Sequence, residues 1–394
     1  LQQYGQYAVF MSWVSIAAIF VEFGWDGYIL QKIPLLSKDD EEKINGRYLL
    51  RKLLLSVAAC YAILVLVVCV GYFFFNAFPF FTSVYQLAAF CILIFLVAAV
   101  SFFKSFLKIF HKVTVIQLLE DLLKPLVIFL AVTVFFWYAI SITLTDLYLL
   151  NVIVFAAFAI ALLLFSYRIF RKTFSRVKNS ADNEKWLQKC FYFMCIFLGY
   201  NVFTRMELIF LGYFNNNEAA AKYQVLLRIA DLVILPEFLF NYYLPQKFSR
   251  LFADKEYEKA RTIFTASAKT ISLLQLLCFA GVTAIGYLYL WSFNLATVDM
   301  YVYLLLLSSA PIFYSLFGSG SLALKTSGNE RYSFYALAIV LLLEIPANIL
   351  FVPAFGLMAS VIISWASVLV YNLVLAYFVH KRLGYTTAIT RRIF

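Results

Sequence analysis

Histidine is almost missing from this chain. Only His111 and His380 occur in 394 residues, and neither has a serine, cysteine or aspartate placed to complete a nucleophilic triad. The six cysteines, Cys60, Cys69, Cys91, Cys190, Cys195 and Cys278, all fall in apolar stretches, without CxxC spacing and without an external pair to bridge. They read as buried thiols, so neither a metal site nor a disulfide framework is indicated, and no cofactor is implied. Gly318-Ser319-Gly320 lacks the GK[ST] ending of a phosphate loop and reads as a small-residue patch for close helix packing. Charge is scarce as well. Charged residues make up 13% of the chain against 64% apolar ones, and mean hydropathy is +0.87, which excludes a soluble domain.

What the chain does have is long apolar segments. Eleven can be read, at 6–30, 53–75, 84–103, 123–143, 146–167, 190–214, 219–245, 263–291, 300–324, 332–352 and 357–379. Each is near the roughly 20 residues that cross a bilayer. Of the 32 Lys and Arg residues, all but Lys222, Arg205 and Arg228 lie in or beside every second gap, for example Lys32–Lys52, Arg168–Lys189 and Lys381–Arg392. Positive residues stay cytoplasmic, so the alternation gives both the number of crossings and their direction. It places Phe394 inside and Leu1 outside, with an initial helix expected to precede Leu1. The net charge of +11 is therefore confined to one membrane face, where anionic lipid attracts each residue by about 1 kcal/mol. Nucleic acid is not the implied partner.

An internal repeat organises these segments. Those beginning near Tyr7 and Tyr223 are 216 residues apart, as are those beginning at 84 and 300. The first two open alike, with Tyr4-Gly5-Gln6-Tyr7 and Ala220-Ala221-Lys222-Tyr223. At this offset the segment 190–214 would pair with one before residue 1. The expected fold is all-α and polytopic, with eleven transmembrane helices seen and twelve in the intact protein, as two six-helix lobes. The N-terminal lobe takes 1–167, a basic cytoplasmic linker 168–189, and the C-terminal lobe 190–394. Duplicated halves place a substrate site at their interface near the midplane.

Two arginines fall inside membrane segments, where charge costs about 2.5–3.5 kcal/mol and is usually functional. Arg228 shares a helix face with Asp231 and Gln224. It reads either as a cationic ligand for an anionic group, neutralised by Asp231 at rest, or as a structural ion pair. Arg205 shares a face with Asn201, but Glu207 lies roughly 200° around the helix, so the two charges need separate partners. Arg205, Arg228, Gln224 and Asn201 are the candidate headgroup ligands. Glu207, Asp231, Glu22, Asp26 and Glu237 are the candidate ion-coupling residues, with Glu344 a weaker one. External gaps are short, the longest being Asn76–Ser83 and Ser292–Asp299, which leaves no room for an extracytoplasmic catalytic domain.

Several stretches resemble the polysaccharide flippases, the Wzx-like members of the MATE/MOP superfamily. Tyr4-Gly5-Gln6-Tyr7, then Val21-Glu22-Phe23-Gly24, resembles the family pattern YGxY…DxG of its second helix. Thr204-Arg205-Met206-Glu207-Leu208-Ile209 resembles the seventh. Ala221–Ala230 resembles the eighth, GxYxxAxRxA, and Pro245 with Phe248, Leu251 and Phe252 the PxxxxLY that follows. Phe351-Val352-Pro353-Ala354-Phe355-Gly356-Leu357-Met358-Ala359-Ser360 resembles LIPxFGxxGAA. Family aspartates are replaced by Glu22 and Glu207. The resemblance implies a non-enzymatic flippase that moves undecaprenyl-pyrophosphate-linked oligosaccharide from the cytoplasmic to the outer leaflet for O-antigen, capsule or exopolysaccharide assembly. It implies residence in the bacterial inner membrane among membrane lipids, beside a polysaccharide polymerase and a chain-length regulator. The alternatives are a MATE-type multidrug exporter and a membrane glycan polymerase or ligase.

Overall fold

A computed structural model of the chain describes residues 2–25, 27–28, 46–75, 83–109, 123–137, 143–173, 186–214, 217–253, 256–384 and 387. Asp26, His111 and most of the 168–189 linker lie outside the described residues. Among those residues the structure is all helical: α1 (Gln2–Glu22), α2 (Gly46–Phe75), α3 (Val84–Ile109), α4 (Lys124–Trp137), α5 (Leu144–Thr173), α6 (Trp186–Phe214), α7 (Asn217–Ala253), α8 (Tyr257–Ser292), α9 (Val298–Phe317), α10 (Gly320–Thr326), α11 (Glu330–Phe355) and α12 (Leu357–Leu383). The described part of every expected membrane segment is helical or nearly so. Among the described residues, nine helices are long and apolar enough to cross a bilayer, which makes this a multi-pass membrane protein. α4 is described over only 14 residues. α7 falls short in apolarity because Lys222, Arg228, Asp231 and Glu237 interrupt it.

Two boundaries differ from the expectation. The segment 300–324 is two helices, because Gly318 at φ +78° ends α9 and its α-carbon is pressed against the Thr387 backbone. Hydropathy averaging runs straight over that break. The gap expected between the segments 332–352 and 357–379 is helical up to Phe355, with Pro353 inside α11, and Gly356 alone at φ 55° links α11 to α12. α7 runs 37 residues, about 55 Å at 1.5 Å per residue, and continues through Pro236. It is longer than the hydrocarbon layer is thick, so one end stands in the aqueous phase. α12 stops in the ordinary way, with His380, Lys381 and Arg382 in its last turn and Gly384 left-handed at φ 70°.

The helices divide into two compact units, Phe10–Asn201 and Leu1–Val9 with Val202–Phe394. In the first, α3 packs along α5. Trp25 is fully buried there against Tyr28 and Cys190, stacks on Trp186 at 5.2 Å, and donates its indole N–H to Ser56 Oγ at 2.6 Å. This knot sits just past the end of α1, where Phe23 and Gly24 turn left-handed at φ 48° and 70°. A side chain on Gly24 would strike the Cys190 carbonyl and the Met194 amide. Gly24→Ala is therefore expected to cost roughly 1–2 kcal/mol from the left-handed backbone alone. The check is a lowered thermal midpoint for the detergent-solubilised protein, and an unchanged midpoint would refute it.

In the second unit, α7, α8, α9, α11 and α12 form the body. Its core joins Phe203, Phe248, Phe264, Leu337, Val340, Tyr371 and Leu375, with Phe248 and Phe264 stacked at 3.5 Å. The first turns of α1 belong to this unit. Gly5 lies directly against the Asn217 carbonyl at the start of α7, and Gly212 near the end of α6 lies against Val9. Glycine at these two places lets the helices approach to backbone contact.

Candidate functional site

The second unit gathers three of the candidate residues. Arg205 on α6 is within electrostatic reach of Arg228 and Asp231 on α7, and Asp231 of both arginines. Neither arginine closes a contact ion pair with Asp231 among the described residues. The group carries two positive charges to one negative. Arg228 and Asp231 are exposed, while Ile229, Ala230 and Val233 between and beside them are buried. Spacings of three and four residues put Arg228, Asp231, Leu232, Leu235, Phe238 and Leu239 on one helix face, and all of them are exposed. That face is charged at one end and apolar along the rest.

Gln224, one turn before Arg228, is buried, and Arg205 is half-buried. Asn201 turns back on its own helix, donating its side-chain amide to the Phe197 carbonyl at 3.3 Å.

Glu207 looks elsewhere, as its angular offset from Arg205 requires. It is 1% exposed, and its carboxyl meets that of Glu344 on α11, also 1% exposed. Tyr223 of α7, fully buried beside Glu207, meets Ser364 of α12, and Ser367 lies beside Glu344. Oε1 of Glu207 and both oxygens of Glu344 find no well-aligned donor among the described residues. Two carboxylates so close in so apolar a place repel each other, and each charge there is costly. Glu344 and Ser367 are the polar residues lining a cavity of about 460 Å³ between α11 and α12, walled by Leu343, Phe351, Met358 and Ile362. Pairing across α6 and α11 raises Glu344 from a weak candidate to the partner of Glu207. No local motif could have shown it.

The remaining acids are separate. Glu237 is buried near Tyr371, whose hydroxyl meets Ser321 and Ser333, themselves 2.9 Å apart. Glu22, half-buried in the other unit, ends α1 just before its left-handed break.

Sequence reasoning missed the tyrosines near the arginines. Tyr289 of α8 is within electrostatic reach of Arg228 and of Tyr4 on α1. With 27 tyrosines in the chain, the residue type carries no signal by itself. The position of Tyr4 in the repeated aromatic run was the one available hint.

Residues 1–243 match the family described as polysaccharide biosynthesis protein. No curated protein matches the chain. Among solved structures, the chain is similar to an inward-facing multidrug resistance MATE family transporter of the MOP superfamily. The TM-score is 0.65 at 14% identity, covering 96% of this chain and 89% of that one. It is similar also to a MOP superfamily transporter from Pyrococcus furiosus, described as having a binding pocket of reversed polarity that suggests a different function. There the TM-score is 0.56 at 13% identity, over 97% and 84% of the two chains. An outward-facing MATE family transporter gives 0.55 at 12% identity over the same shares. At these identities the likeness is one of fold.

Proposed function

Because the chain belongs to the polysaccharide biosynthesis protein family and has the fold of MATE/MOP transporters, we propose that it is a flippase for lipid-linked oligosaccharide. It takes an undecaprenyl-pyrophosphate glycan from the cytoplasmic to the outer leaflet by alternating access, through a chamber lined by Arg205 and Arg228. It acts as a carrier and not as an enzyme, in the bacterial inner membrane with its C-terminus cytoplasmic, and hands its cargo to a polymerase and a chain-length regulator.

One observation supports this reading above the others. Arg205, Arg228 and Asp231 are within electrostatic reach of one another, two positive charges to one negative, within segments whose sequence reads as membrane-spanning. Like charges held together there repel, and an anion between them removes the repulsion. A pyrophosphate supplies that anion, and guanidinium forks suit its oxygens in two-pronged fashion. Bare pyrophosphate does not cross hydrocarbon, since each charge costs of order 20 kcal/mol in the idealised limit. The lipid tail stays in the bilayer while the headgroup travels.

The direction of transport suits the membrane potential. With the inside negative, moving two negative charges outward gains about 4.6 kcal/mol per 100 mV. Proteoliposomes carrying the intact protein are expected to flip a fluorescent lipid-linked glycan faster when a potential is imposed. An undiminished rate in vesicles clamped at zero would rule out potential-driven export.

Among the acids proposed for ion coupling, Glu207 with Glu344 has the surroundings that fit best, because an unsatisfied buried pair must exchange a proton or cation to change charge. The same pair favours the second reading, a multidrug exporter for organic cations. Transport of a cationic dye, with no movement of the glycan, would select that reading.

A further inference from the structure

Tyr289, beside Arg228, and the tyrosines of α1 that it reaches bring a second chemistry to the cationic group. Tyr289 donates its hydroxyl to the Val225 carbonyl at 3.2 Å, one helical turn from Arg228. It is within electrostatic reach of both Arg228 and Tyr4. Its ring leans on Phe293 with centroids 5.0 Å apart. Tyr4 and Tyr7, one turn apart on α1, stack with centroids 6.5 Å apart and planes at 26°. All three tyrosines are half-buried, so each keeps part of its surface accessible. Gln2 and Gln3 are exposed and Gln6 half-buried on the same turns. The backbone contact of Gly5 with Asn217 holds these turns of α1 to the start of α7, three turns before Arg228.

A phosphate has no use for these rings. The face of an aromatic ring is the negative side of its quadrupole, and an anion avoids it. A sugar ring is different. One face of a pyranose is a sheet of C–H groups and its rim is hydroxyls, the combination a tyrosine answers with a flat apolar body and a polar tip. Tyrosine does so at little cost in side-chain entropy. Glutamine amides nearby suit the hydroxyl rim, since each offers both a donor and an acceptor.

We propose that Tyr4, Tyr7 and Tyr289 form a carbohydrate subsite that stacks on the sugar attached directly to the phosphate, while Arg205 and Arg228 hold the phosphate itself. The subsite rests on the flippase reading for its ligand, and it adds which part of the headgroup each side chain meets. Its tolerance for different glycans follows from the same chemistry, because many pyranoses present a C–H face.

The test measures two probes on the full chain in detergent by titration calorimetry: farnesyl pyrophosphate, and farnesyl pyrophosphate carrying one N-acetylglucosamine. The unaltered protein is expected to bind the sugar-bearing probe more tightly. Tyr4→Leu and Tyr289→Leu are each expected to weaken that probe roughly tenfold, the scale of one lost ring contact, and to leave the bare probe unchanged. Tyr4→Phe keeps the ring and is expected to keep the preference, which separates stacking from a general loss of fold. Arg228→Gln is expected to weaken both probes alike. Equal binding of the two probes by the unaltered protein, or tyrosine variants that weaken both equally or neither, would overturn the subsite. Arg228→Gln with both affinities intact would instead overturn the phosphate reading, and the tyrosine arm would still decide the subsite.

Discussion

Arg228→Glu is expected to abolish export of lipid-linked glycan, with surface polysaccharide falling by a hundredfold or more in a host that depends on this chain. The group around Arg228 holds two cations and one acid. Reversal of one charge makes it one cation and two acids, so a site that attracted phosphate repels it. Losing one partner of a desolvated charge pair costs roughly 2–5 kcal/mol, and reversal adds repulsion to that loss. A factor of a hundred is thus a modest expectation. Arg228→Lys keeps the charge but replaces a planar fork with a point donor, so an intermediate rate is expected. The readings are surface polymer in cells and flipping in proteoliposomes, with protein amount confirmed in both. Polymer at the unaltered level from Arg228→Glu would remove Arg228 from the site. Because Arg228 is exposed, the substitution does not disturb the buried core, and loss of activity is not simply loss of fold.

Gly5→Leu is expected to have the largest effect on stability. The α-carbon of Gly5 lies against the Asn217 carbonyl and near the Ala221 amide, both backbone atoms of α7. A side chain there cannot be accommodated by rotating a neighbour. α1 must lift away from α7 along its first turns. Overpacking of this kind costs about 3 kcal/mol, a large share of the stability of any fold. The measured result should be a lower thermal midpoint and poor recovery of monodisperse protein, with Gly5→Ala milder but in the same direction. Gly281→Ala is the control, since a side chain there would meet nothing within 4 Å. It replaces a helical glycine by alanine and is expected to be neutral or slightly stabilising. An unaltered midpoint for Gly5→Leu would contradict the close approach of α1 and α7.

The membrane helices were legible because two independent patterns coincide, apolar length and alternating basic gaps. Each constrains the other, so a segment such as 219–245 was recognised despite four charged residues that lower its hydropathy. What could not be read was anything set by a single dihedral angle. Gly318 at φ +78° divides 300–324 into α9 and α10 without changing its apolar character. Site geometry was legible only along one helix. That Arg205 and Glu207 face apart follows from their spacing, and the structure gives each its own neighbours. That Arg205 meets Arg228, or Glu207 meets Glu344, depends on how α6 packs on α7 and α11, and pairwise packing of apolar helices leaves little trace in composition. The tyrosines were hidden differently, by abundance: Tyr4 and Tyr289 differ from other aromatics only through what lies beside them.

The pairing of Glu207 with Glu344 also constrains how the polypeptide is made. α6 leaves the ribosome with Arg205 and Glu207, while Glu344 arrives only with α11, near the end of synthesis. α6 is apolar enough to span a bilayer, yet alone it carries both charges without the groups they meet in the finished fold. Arg205 therefore gains its opposite charge only when α7 brings Asp231, and Glu207 meets its partner only once α11 is made.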